Sequence, residues 1–265
     1  YLLAESIFAY IDVLSSESAA GYALEQSAAA SEAELRRRRL VRLLVRDPPP
    51  EPGAVQRAAA EAGWALPRSV AVLAIAGEHR AAAASRLPPG TLHESIGELT
   101  CAVIEDPDGP GRPDTVDRAV TAAGALAGVG TTVDWTEAPL SFARARAALA
   151  LADRPGRPSG AVVRARERAG ELLLRSDPRL AAELAADRLA PLDVLTPGSR
   201  KRLRATLRVW LAEQGRLGQV AERMAIHPQT ARYRLGRLRE LFGDTLDDPE
   251  GRFWLELALR SAPDG

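Results

Sequence analysis

Lysine is almost absent from this 265-residue chain: of its 35 basic residues, all but Lys201 are arginine. A bias so uniform has the texture of GC-rich coding, so arginine alone says little about phosphate binding. Cysteine is equally scarce. A lone Cys101 excludes an internal disulfide framework and fits a reducing cytoplasm. Within the apolar run TCAVIE it reads as a buried, inert thiol. Aromatic residues make up 5% of the chain, and no apolar run reaches the roughly 18–20 residues that a membrane-spanning helix needs. No signal peptide is visible, and an opening on Tyr1 rather than Met reads as part of something longer. The three histidines, His79, His93 and His227, are far apart and lack metal-ligand spacing, so neither a metal nor a cofactor is expected.

What is present is mostly alanine- and leucine-rich helix. Residues 1–46 contain one glycine and no proline, and close on ELRRRRLVRLLV, where Leu40, Leu43 and Leu44 share one face. Consecutive Arg36–Arg39 point all round that helix and read as a solvated or interface-flanking turn. DPPPEPG stops the segment, and a short helix over Ala54–Ala62 ends at Gly63, anchored by Trp64 and Leu66. From Ser69 the texture changes. SVAVLAIAG is a buried strand, TLHESIGELTCAVIED two strands around a tight turn at Gly97, and VGTTVDW a further strand. Helices fall on DTVDRAVTAAGALAG and APLSFARARAALALA. That order predicts an α+β sandwich whose antiparallel sheet is covered on one face. After the linker DRPGRPSG everything reads as helix. Asp177–Pro178 and Thr196–Pro197 look like helix starts, and Gly215 a stop.

The stretch RLGQVAERMAIHPQTARYRLGRLRELFG carries the most specific pattern. Val220, Ala221 and Met224 mark one side of a short helix, Ile226 lies in a turn, and His227–Pro228 opens a second helix with a polar cap and a first-turn proline. Ala231, Leu235, Leu238 and Phe242 recur as a buried stripe, leaving Gln229, Arg232, Tyr233, Gly236 and Arg237 outside it. This is a helix-turn-helix pattern, in which the second helix enters the major groove by its N-terminal turn. Gln229 suits adenine, and Arg232 suits guanine or a phosphate. An ordinary basic bundle helix is the competing reading. Against it stands the separation of signs: residues 199–239 carry a net +9 and residues 240–256 a net −5.

The run from Leu189 to Leu259, LAPLDVLTPGSRKRLRATLRVWLAEQGRLGQVAERMAIHPQTARYRLGRLRELFGDTLDDPEGRFWLELAL, resembles the PucR/CdaR-type bacterial transcriptional regulators. His227, Thr230, Tyr233, Arg234, Leu235, Gly243 and Leu246 match that pattern. The family usually places a basic residue and Asn between the His and the Thr. Here Pro228 and Gln229 stand there, which implies that the first turn reads a different sequence. The resemblance implies double-stranded DNA as partner, a cytoplasmic homodimer, an unidentified small-molecule effector and no membrane. The candidate DNA-binding set is Gln219, His227, Pro228, Gln229, Thr230, Arg232, Tyr233, Arg234 and Arg237. The middle region resembles the degenerate GGDEF-like domain that often precedes this module. An active cyclase needs phosphate-cradling glycines and metal-binding carboxylates, and the turn offers only Gly97 and Glu98, so no catalytic residue is expected.

The expected fold class is therefore mainly α with a central α+β domain. An N-terminal helical segment and linker (1–67) precedes a GGDEF-like α/β sandwich (68–152). Connecting helices (153–195) then lead to a C-terminal helix-turn-helix bundle (196–265), with a recognition helix at about 228–242. The alternative is a nucleotide-binding or nucleotide-converting signalling protein centred on residues 69–152. Gly124, Gly128 and Gly130 make no dinucleotide fingerprint. Ser141 has no visible His–Asp partners, and Asp248–Pro249 reads as a helix cap.

Overall fold

The computed structural model describes residues 30–153 and 158–261, so most of the predicted N-terminal helical segment lies outside the described residues. The chain divides into two compact units, residues 1–169 and 170–265.

In the first unit, α1 (30–44) and α2 (Pro52–Glu61) lead into a five-stranded sheet of order β2-β3-β1-β4-β5. Its strands are β1 (Val70–Ala76), β2 (Leu92–Ile96), β3 (Leu99–Glu105), β4 (Leu126–Val129) and β5 (Val162–Arg164). Helices α3 (Arg80–Ala84), α4 (Arg112–Ala123) and α5 (Ala138–Ala152) connect them. The expectation of one covered face is corrected, because helices pack on both. Val70, Val72, Cys101 and Val103 face α1 and α2, and Ala74 meets Ala145 and Leu149 of α5. Leu73, Ile75, Ala102 and Ile104 face α3 and α4 on the other side. The run VAVLAIA has apolar residues at every position rather than alternate ones, which is what a strand buried on both sides requires.

Two further differences concern strands. The strand expected at VGTTVDW lies earlier, at Leu126–Val129, and pairs antiparallel with β1. Beyond it the regular ladder ends, with Gly130 N–H still donating to the Val72 carbonyl at 2.8 Å and a bridge re-forming between Val133 and Val70. Gly128 and Gly130 bring β4 against α5 so closely that an added Cβ would lie 2.0 Å from the Ala145 carbonyl and 2.1 Å from that of Ser141. Buried Ser141 fills the gap in the ladder: Val72 N–H donates to its Oγ at 3.0 Å, and that hydroxyl donates to the Thr131 carbonyl at 2.8 Å. This serine is thus a structural bridge. The second difference is β5, which sits in a region expected to be wholly helical and pairs parallel with β4.

Helix α1 is built into this unit. Leu40, Val41 and Leu44 are fully or nearly fully buried, and the buried Glu94 carboxylate on β2 accepts from Arg42 at 2.5 Å, with Arg38 3.7 Å away. Arg36 and Arg38 are also held by Glu32 and Glu34 one turn earlier, the arrangement of a solvated, self-neutralised face. Cys101 is buried, and desolvation followed by the nearby Glu94 charge pushes its thiol well above the usual range. It is inert, as the sequence indicates.

The second unit is helical throughout: α6 (Ala169–Ser176), whose first residue closes the first unit, then α7 (Pro178–Leu189), α8 (Pro197–Ala212), α9 (Leu217–Arg223), α10 (Pro228–Phe242) and α11 (Pro249–Ser261). Asp177 caps α7 by accepting from Leu180 N–H at 2.9 Å, and Asp248 caps α11 by accepting from Gly251 N–H at 2.8 Å. The core gathers Leu203, Leu207 and Trp210 of α8 with Val220, Leu235, Leu238, Leu246 and Leu255. The Arg252 guanidinium lies 5.3 Å from the Trp210 ring centroid and closes one side of it.

Candidate nucleic-acid interface

Two helices meet over a short turn. α9 buries Val220 and Ala221, and α10 buries Ala231, Leu235, Leu238 and Phe242. Alanine at 221 leaves room for the second helix where a larger side chain would hold it off. The turn is made by Ala225, whose φ of 50° is left-handed. Its N–H donates to the Glu222 carbonyl at 3.0 Å, and Ile226 N–H donates to Ala221 at 3.0 Å, which satisfies the end of α9. An L-residue in this region costs about 1 kcal/mol relative to glycine, partly offset by glycine's greater freedom when unfolded. Ala225→Gly is accordingly expected to raise the stability of this unit by about 0.5 kcal/mol, seen as a higher urea midpoint. An unchanged or lower midpoint would show that the turn carries no strain.

α10 begins where the sequence predicts. His227 is its N-cap, with Nδ1 accepting from Gln229 N–H at 3.2 Å, and Pro228 occupies the first turn. Gln219 on α9 and His227, Pro228, Gln229, Thr230, Arg232, Tyr233 and Arg237 are all exposed, while Arg234 is half-buried. Tyr233 is 76% exposed, far more than an aromatic ring with an intramolecular packing role. The fold therefore brings the candidate set to the solvent side of one helix-turn-helix, opposite the buried stripe.

Charge pairing sorts the arginines. Arg237 is held by Glu240, and Arg223 by Glu213. Among the described residues, Arg232, Arg234 and Arg239 have no carboxylate partner. The structure adds Arg216, which sequence reasoning missed: it is exposed at the start of α9 and likewise unpaired. Its position just after Gly215, at a helix start, was the available signal.

The hairpin turn in the first unit presents Gly97 with open space around it and Glu98 beside it. Among the described residues, no group of three or more His, Cys, Asp or Glu side chains is placed to hold a metal ion. No described helix is long and apolar enough to cross a membrane.

Two short helices crossing over a tight turn, with an exposed polar face and a buried apolar one, give the C-terminal unit the geometry of a helix-turn-helix. Residues 203–261 match the PucR C-terminal helix-turn-helix domain. Residues 1–45 match the PucR-like N-terminal domain. An uncharacterized protein from the pkwA 5′ region of Thermomonospora curvata is 39% identical over 94 residues, 36% of this chain. The chain spans about half the length, 51%, of that relative. A crystal structure of a regulator of polyketide synthase expression from Bifidobacterium adolescentis aligns over 86% of this chain and 97% of that one, with 21% identity and a TM-score of 0.39.

Proposed function

We propose that the chain is a DNA-binding transcriptional regulator of the PucR/CdaR type that reads duplex DNA with the exposed face of α10. The observation that carries this reading is the division of α10 into a buried Ala231–Leu235–Leu238 stripe and an exposed face bearing Gln229 and an unpaired Arg232. With the N-terminus of α10 in the major groove, Gln229, Thr230 and Arg232 reach base edges, and Gln219, Tyr233, Arg234 and Arg237 serve the flanking backbone. His227 and Pro228 fix the angle at which the chain enters the groove. A cytoplasmic homodimer presents two such helices to half-sites about 34 Å apart. In this reading the central unit is a GGDEF-like domain without catalytic function that senses or dimerises. In this reading the DNA-binding domain spans 196–265.

Selection of bound fragments from random or genomic DNA tests the proposal. It should return a motif with paired half-sites, bound with an affinity that falls steeply between about 50 and 200 mM salt. Recovery of no enriched motif, together with salt-independent binding, would refute it.

A further inference from the structure

Helix α10 carries a glycine that its own fold does not use. Gly236 is the ninth of its fifteen residues, partly exposed and off the Ala231–Leu235–Leu238 stripe. Its φ is not left-handed, and an added Cβ would meet nothing within 4 Å. Neither a turn nor packing within the chain requires glycine there. A helix interior is also where glycine is most destabilising relative to alanine.

Composition does not account for this glycine. A coding bias would scatter glycine through the helices. Among the described helices, however, Gly53, Gly170, Gly198, Gly218 and Gly251 all stand in first turns, at the second or third residue. Gly251 is needed where it is, because its Cβ would lie 2.5 Å from the Thr245 carbonyl oxygen. Gly236 alone among these sits in mid-helix.

The surroundings of Gly236 point outward. Arg232, one turn before it, and Arg239, one turn after, lie on its side of the helix. Both are exposed and, among the described residues, have no carboxylate partner. Glu240, also one turn on, is held by Arg237. Two free guanidiniums thus bracket a gap in the side-chain layer of α10.

We infer, on the reading of α10 as the DNA-binding helix, that Gly236 is where its backbone seats against a sugar–phosphate strand. With Gln229 at the base edges, Gly236 lies about 10 Å further along the helix, at about 1.5 Å per residue. That is close to the width of the major groove, about 12 Å, so the helix has by then reached the groove wall. The wall is deoxyribose and phosphate, and Arg239 meets the adjoining phosphate. Glycine lets a helix backbone approach a ligand that any side chain would hold off. Position 236 sets how deeply α10 seats, not which bases it reads.

Gly236→Ala and Gly236→Leu in the full chain test this contact, beside Arg232→Ala as a check on the DNA reading itself. Both glycine variants should raise the thermal midpoint of the helical unit, alanine by about 4–8 °C. Both should nonetheless weaken binding to the duplex that the parent chain selects from random DNA, about tenfold for alanine and about a hundredfold for leucine. Each should select the parent's motif, because sugar and phosphate carry no base identity. Parent-like affinity in Gly236→Leu, a lowered midpoint in Gly236→Ala, or a changed motif would overturn the inference. Arg232→Ala losing affinity while Gly236→Leu keeps it would remove this contact alone. Parent-like affinity in both, or no duplex selected by the parent, would remove the DNA reading of this face along with it.

Discussion

Gly128→Ala should unfold the sheet-containing unit under conditions where the helix-turn-helix unit stays folded. The new Cβ would lie 2.0 Å from the Ala145 carbonyl oxygen and 2.3 Å from the Leu149 nitrogen. Both are backbone atoms in the middle of α5, so no side-chain rotation relieves the clash. Moving α5 off β4 instead opens the contact of Ala74 with Ala145 and Leu149. Overpacking against side chains costs about 1–3 kcal/mol, and against rigid backbone the cost lies at or beyond the upper end. Gly63→Ala is the contrast. Its Cβ meets nothing within 4 Å, so only the positive φ of 62° opposes it, at about 1 kcal/mol. Thermal melting with mapped limited proteolysis distinguishes the two. A Gly128→Ala midpoint within a degree or two of the parent's would mean that β4 and α5 pack less closely than described.

The second large effect is on DNA affinity. Arg232→Ala should weaken binding to the selected site about tenfold or more, since a bidentate base contact contributes roughly 1–3 kcal/mol. Arg232 is the more sensitive of two test positions because its guanidinium is unpaired, whereas Arg237 must exchange Glu240 for the DNA. Exposed ion pairs contribute little, about 0–1 kcal/mol, so this exchange reduces but does not cancel the contribution of Arg237. If Arg237 meets phosphate, Arg237→Ala weakens all sequences alike and lowers the salt slope by about 1. If Arg232 meets a base, Arg232→Ala relaxes the motif at one position. Neither change touches the buried stripe of α10, so both variants remain folded. Full affinity in both would remove this face from the interface.

The C-terminal module was legible because each of its signals is local. His227, Pro228, the four-residue stripe and Gly243 set the bounds of α10 within a few residues of the places where they act. The sheet was legible only in part, because its decisive contacts are distant in sequence. Nothing near Val162–Arg164 marks it as a strand; its partner β4 lies more than thirty residues earlier. The glycines at 128 and 130 read as punctuation, whereas their role is close approach to α5, which shortens β4 and hands a ladder hydrogen bond to Ser141. The second covered face of the sheet was present in the uninterrupted VAVLAIA but was outweighed by the hairpin pattern beside it. Arg216 was hidden among many arginines, and its place at the start of α9 just after Gly215 was the signal that could have singled it out.

The arrangement of charge along α10 has a kinetic consequence. Unpaired Arg232 and Arg234 stand in its first half, while beyond Arg239 its far end leads into exposed Asp244, Asp247, Asp248 and Glu250. Fifteen residues of helix separate the two ends by about 22 Å, more than twice the screening length of about 8 Å in physiological salt. In the field of a polyanion such a body feels a torque as well as an attraction. The acidic pole turns away and the recognition turn swings forward before any contact forms. A chain with no net charge can thus approach DNA already oriented.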